Sequence, residues 1–189
     1  MTVSRRDAIK RAALLLGSTF ILPDILKAWE SPSILNKSIR FTADQSALIA
    51  EIADLIVPTT STPGAKAAGV PAFIEKMIAD CYTKKDQELF FQGLTKLDSD
   101  CVEKFGKNFL NLSKEDQIAM LKLAEIDSQV TDKKIKGGDH FWKTIKGLTV
   151  TGYFTSEIGA TQALRYEPVP GRYDGDVAYK KGDKSFADS

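Results

Sequence analysis

A chain of 189 residues, 43% of them hydrophobic, is long enough to close one core and too short to call for a second. Its 26 Lys and Arg against 25 Asp and Glu leave a net charge of +1, so no overall field draws it to nucleic acid or to an anionic membrane. Two cysteines and one histidine, with no C-x-x-C, C-x-x-C-H or H-E-x-x-H, offer no spacing that holds zinc or haem.

The charge is unevenly placed. Residues 1–28 carry Arg5, Arg6, Lys10, Arg11 and Lys27 against Asp7 and Asp24, and the basic opening runs into an apolar stretch from Ala12 to Leu22 closed by Pro23. Such a stretch falls short of the roughly 20 residues a membrane-crossing helix needs, so it reads as the apolar part of a signal peptide. Ser4-Arg5-Arg6-Asp7-Ala8-Ile9-Lys10 has the paired arginines and trailing lysine of a twin-arginine signal, with Ala8 where phenylalanine is usual. The destination is then the periplasm. A cytosolic amphipathic helix is the alternative, and both cleavage near Ala28 and retention as an uncleaved membrane anchor stay open.

Residues 29–40, with Pro32, Asn36 and three serines, read as a linker, and the folded part is expected over 41–166. Thr42 with Gln45 forms a capping pair for a first helix that presents Leu48, Ile49, Ile52, Leu55 and Ile56, and Pro58 stops it. Pro58 to Gly69 is a loop. Pro71 suits the first turn of a second helix with the stripe Phe73, Ile74, Met77, Ile78 and Cys81. A third helix follows Thr83-Lys84-Lys85, carries Leu89, Phe90, Leu94, Leu97, Cys101 and Phe105, and ends at Gly106. Ser113 with Asp116 opens a fourth, buried through Ile118, Leu121 and Ala124. After a charged turn at 132–138, Asp139 is expected to cap a fifth that presents Phe141, Trp142, Ile145, Leu148 and Phe154. No alternating run is bounded by hairpin turns, so the fold class is all-α, an orthogonal bundle of about five helices, with residues 167–189 as an extended tail.

Little here suggests chemistry. His140 stands without a second imidazole or an evident carboxylate partner, which makes it a boundary residue before a catalyst. Lys66 sits in a loop with neither G-x-x-x-x-G-K-[ST] nor G-x-G-x-x-G, and no G-x-S-x-G frames a serine. Glu51 and Asp54, three apart on a helix, read as a solvated face. Cys81 and Cys101 fall near the ends of successive helices, roughly 20 Å apart in a simple hairpin and beyond disulfide reach. Both lie on predicted apolar faces, as small buried hydrophobes. No catalytic, cofactor-binding or metal-binding residue is therefore assigned.

The most distinctive stretch is Leu148-Thr149-Val150-Thr151-Gly152-Tyr153-Phe154-Thr155-Ser156-Glu157-Ile158-Gly159-Ala160-Thr161-Gln162-Ala163-Leu164-Arg165-Tyr166, followed by Glu167-Pro168-Val169-Pro170-Gly171-Arg172-Tyr173. With Ala53-Asp54-Leu55-Ile56-Val57-Pro58 and Pro63-Gly64-Ala65-Lys66-Ala67-Ala68-Gly69-Val70-Pro71, it resembles the small subunit of membrane-associated gluconate 2-dehydrogenase, subunit 3 or gamma, from about Phe41 to Asp174. The resemblance implies a non-catalytic partner of a large FAD-bearing subunit of the glucose-methanol-choline type, commonly with a c-type cytochrome carrying haem c. It also implies that the small subunit carries the export signal for the pair, with any membrane association coming through the complex or an uncleaved signal. Tyr153, Phe154, Tyr166 and Tyr173 are the candidate partner contacts, since such rings favour desolvated interface centres. Core packing is the competing reading for Tyr153 and Phe154. A free-standing exported helical binding protein, or a small enzyme using His140 or a carboxylate, would lack the flavoprotein companion.

Overall fold

A computed structural model of the chain describes residues 39–131, 139–169, 171, 176, 178 and 180–187. The targeting residues Ser4, Arg5, Arg6 and Lys10, the linker up to residue 38, the turn at 132–138 and Tyr173 lie outside the described residues.

Among the described residues the chain is the expected all-helical bundle. Helix α1, Ala43–Ile56, starts on a full capping box: the Gln45 amide donates to Thr42 Oγ1 at 3.2 Å and the Thr42 amide to Gln45 Oε1 at 3.0 Å. It turns Leu48, Ile49, Ile52 and Ala53 inward. The following loop folds back on the end of α1, where the Ala65 amide donates to Val57 O at 2.9 Å and Ala65 itself is buried. Gly69, at φ 72°, takes the left-handed corner into α2, Val70–Cys81, with Pro71 in its first turn. Val70, Ile74 and Ile78 seal its inner face.

Helix α3, Lys84–Phe105, is capped by Thr83 and closed by left-handed Gly106. Its buried Gln87 donates through Nε2 to Ile78 O at 2.8 Å, satisfying a terminal carbonyl of α2 and tightening the α2–α3 corner. Asp98 accepts the Phe109 amide at 2.9 Å, which locks a short 3₁₀ turn, Phe109–Asn111, under the bundle. Helix α4, Lys114–Thr131, opens on Ser113, whose hydroxyl accepts the Asp116 amide. Its inward residues are Gln117, Met120, Leu121 and Ser128, with Ala124 packed alongside. Ile118, expected to be buried, is 42% exposed, because the helix is rotated so that the Gln117 side chain donates through Nε2 to Phe109 O at 2.9 Å.

Helix α5, Phe141–Phe154, packs against all four other helices and is the centre of the core. Two glycines let its neighbours approach. A Cβ on Gly93 of α3 would lie 2.1 Å from the Phe141 Cβ, and one on Gly152 would lie 2.5 Å from the Phe73 ring of α2. The cap of α5 is His140 and not Asp139, whose carboxylate accepts instead from Lys143 Nζ one turn on. Phe154, expected on the inner face, is exposed, and Thr149, Gly152 and Tyr153 take the buried positions.

Beyond α5 a π-helical turn, Gly159–Ala163, leads to β1, Arg165–Tyr166. The tail returns as β2, Phe186–Ala187, parallel to β1 with Arg165 opposite Phe186 and Tyr166 opposite Ala187. The Arg165 guanidinium lies 4.6 Å over the Phe186 ring, and Lys184 Nζ donates to Gln162 O, so side chains supplement a ladder too short to hold itself.

Candidate functional site

Tyr153 ends the inner face of α5, 3% exposed, and its hydroxyl donates to Pro63 O at 2.8 Å. That bond joins the last turn of α5 to the α1–α2 loop, so Tyr153 is a core residue and the partner-contact reading does not extend to it. Phe154 stands beside it, ring edge to face at 5.3 Å, with its outer part in solvent. Tyr166 is 50% exposed in β1, and Phe186 and Val169 are exposed with it. Exposed rings held by a ladder, a cation–π contact and a lysine are positioned surface and not frayed tail.

His140 sits at the junction of α4 and α5. As cap, its Nδ1 accepts the Trp142 amide at 3.2 Å, which puts the proton of the neutral ring on Nε2. Nε2 faces Asp127 Oδ2 at 3.6 Å. The same carboxylate accepts from Lys96 Nζ of α3 at 2.8 Å and from the Thr131 hydroxyl at 3.0 Å. The hydrogen bond from Lys96, aided by that from Thr131 and by the charge of Lys96, holds the Asp127 carboxyl below its ordinary value, while the bond to Asp127 raises the Lys96 ammonium. An Asp–His pair is the orienting half of a nucleophile-activating site. Here one ring nitrogen is spent on a helix amide and the other is turned to the carboxylate, so the group ties three helices together.

Below this network runs an open groove of about 530 Å³ between α3 and α4, floored by Leu97, Met120 and Ala124 and walled on the α3 side by Asp100, Glu103 and Lys104. Sequence reading missed both the Lys96–Asp127 tie and the outward apolar residues of α4. The first joins positions 31 apart and leaves no local signal. The second was visible as Ala119, Leu123, Ile126 and Val130, a second helical-period stripe beside the buried one.

The remaining candidates are structural. Lys66 reaches from the loop to Glu51 at 2.6 Å and Asp54 at 3.6 Å, so the two carboxylates pair with a lysine and not with each other. The Glu51 hydrogen bond raises the Lys66 ammonium against the opposing effect of burial. Both cysteines are free thiols. Cys101 is buried, and burial, with Asp98 and Asp100 nearby, pushes its thiol up to about 11. Cys81, expected on the apolar stripe, is exposed, because it is the last residue of α2, past the point where Ile78 meets the core. Among the described residues no group of three or more His, Cys, Asp or Glu could hold a metal ion, and no helix is long and apolar enough to cross a membrane.

Neither a curated protein nor a solved structure matches the chain. A family model does, that of gluconate 2-dehydrogenase subunit 3, over residues 43–171. That span starts at the first residue of α1 and takes in the loop that Lys66 anchors, all five described helices and Tyr166 beyond them, so the chain belongs to the gluconate 2-dehydrogenase subunit 3 family.

Proposed function

We propose that this chain is the non-catalytic small subunit of a membrane-associated or periplasmic flavin-dependent sugar dehydrogenase of the gluconate type, and that it aids export and stability of the catalytic flavoprotein. The observation that carries the reading is the family match across 43–171, whose description is of a subunit and so implies companions. The structure lends support at two places. The single imidazole is committed to capping α5 and facing Asp127, and the exposed rings of Tyr166 and Phe186 are held on a braced ladder. Oxidation belongs to the FAD-bearing companion, with haem c on a third, cytochrome subunit. Arg5 and Arg6 direct the assembled pair to the periplasm by the twin-arginine route.

The test has two arms. Replacing Arg5 and Arg6 together by lysine should strand both this chain and its flavoprotein in the cytoplasm on fractionation, and normal export of both would overturn the targeting role. Tyr166→Ala with Tyr173→Ala should leave helical circular dichroism intact and reduce copurification of the flavoprotein. An undiminished complex would remove the aromatic tail from the interface.

A further inference from the structure

Helix α4 is apolar on two sides. Met120 and Leu121 face the core, while Leu123, Ile126 and Val130, with Ala119, form a stripe at spacings of four, three and four on the outside. Ile126 and Val130 are each 58% exposed. A helix apolar on both sides is ordinarily covered on both, and single exposed aliphatic residues are unremarkable while a contiguous face is not. The stripe is continuous with the α3–α4 groove, since Leu123 belongs to both.

The groove wall supplies the second observation. Asp100 and Glu103 project from α3 with no ion pair among the described residues; Lys96 beside them is taken by Asp127, and Lys104, over the Phe105 ring, is the one further lysine that lines the groove. The face is thus apolar with an edge on which two carboxylates outnumber one lysine, acidic in balance. An anionic lipid surface would be repelled by that edge. A second copy docked through the same stripe would set one acidic wall beside the other across the two-fold axis. The complementary occupant is an amphipathic helix with an apolar ridge and basic side chains along one flank.

We propose that the outer face of α4 and the adjoining groove receive such a helix from a companion subunit of the same dehydrogenase. This rests on the subunit reading above and places a contact well away in sequence from the Tyr166 ladder. In the complex the apolar stripe is desolvated, and Asp100 and Glu103 meet the basic flank.

The experiment uses the assembled complex, purified through a tag on this chain, with the companion flavoprotein scored by its flavin absorbance. Ile126→Asp with Val130→Asp should keep the helical spectrum and lower the recovered flavoprotein roughly thirty-fold, the loss that goes with removing an interface anchor. Val130→Asp alone, a single change at an exposed site, should give a smaller loss and keeps the test open if the double change unfolds the bundle. Asp100→Lys with Glu103→Lys should lower recovery about ten-fold, with the remaining complex less dependent on salt than the unaltered one. Undiminished recovery in both the apolar and the charge variants overturns the docking face and leaves the subunit reading intact. Failure of the unaltered chain to bring down any flavoprotein overturns the subunit reading itself, and the docking proposal with it. Sedimentation of the isolated chain as a dimer that Ile126→Asp with Val130→Asp dissociates would assign the face to a second copy and overturn the proposal.

Discussion

At the scale of single residues, two glycines on different helices are expected to respond in opposite directions. Gly93→Ala would place a methyl 2.1 Å from the Phe141 Cβ, an atom that no side-chain rotation moves away, so α3 and α5 must separate. Overpacking of this kind costs about 1 to 3 kcal/mol, against about 1 kcal/mol gained in helix propensity, and the overpacking should win. Gly147 on α5 is exposed, and a methyl added there would meet nothing within 4 Å, so Gly147→Ala should stabilise by about 1 kcal/mol. Denaturant titration of the two variants checks both signs. The thiols divide likewise. Exposed Cys81 should react with a disulfide reagent in the native protein, and Cys101, buried and pushed up to about 11, only after unfolding. Two thiols reacting together in the native state would contradict the packing of α3. None of these contrasts was legible in the sequence, where both glycines sit in helical patterns and both cysteines sit on apolar stripes. What separates them is the neighbour across the interface, and sequence spacing does not carry that.

At the scale of elements, the local signals were the readable ones. Thr42 with Gln45, Pro71, Thr83, Gly106 and Ser113 all act at the helix ends that their chemistry predicts, because caps and stops are interactions between residues a few positions apart. Thr42→Ala should therefore cost about 1 kcal/mol, measured by thermal unfolding. The cap of α5 lies one position beyond the expected one for a reason of the same kind: an imidazole nitrogen can accept a helix amide as an aspartate does, and it frees Asp139 for Lys143. Where two helices meet, sequence says little. The Lys96–Asp127 pair between α3 and α4 is half exposed on both sides and worth at most about 1 kcal/mol. Since the Asp127 carboxyl is lowered in the fold, its contribution is present above the ordinary carboxylate value of 3.8 and is lost as pH falls through the depressed one. Since the Lys96 ammonium is raised, its contribution is present below 10.5 and is lost as pH rises through the raised value. The stability difference between the unaltered chain and Lys96→Ala should accordingly be flat at neutral pH and should close below the carboxylate range. A difference that persists there would show packing of the lysine stem and not charge.

At the scale of the whole molecule, the all-helical class was legible from apolar periodicity alone, and the family resemblance from the stretches around α1 and the end of α5. The rotation of α4 and the return of the tail were not, since the first depends on which carbonyl Gln117 finds and the second joins positions some twenty residues apart. The feature with the widest reach is that α5 touches each of the other four described helices. During synthesis the four described helices before it emerge without the element that completes their core, and each keeps an apolar face in water until Phe141–Phe154 arrives. A chain cut at residue 140 should therefore unfold without a cooperative transition and should aggregate, whereas one cut after Leu164, lacking only the ladder, should still melt in a single step. The basic opening, by contrast, leaves the ribosome before any of these helices. If the basic opening is an export signal for folded cargo, as proposed above, the address is readable before the helices form while the right to travel is settled only once α5 has packed, and that interval is the time in which a companion subunit can join.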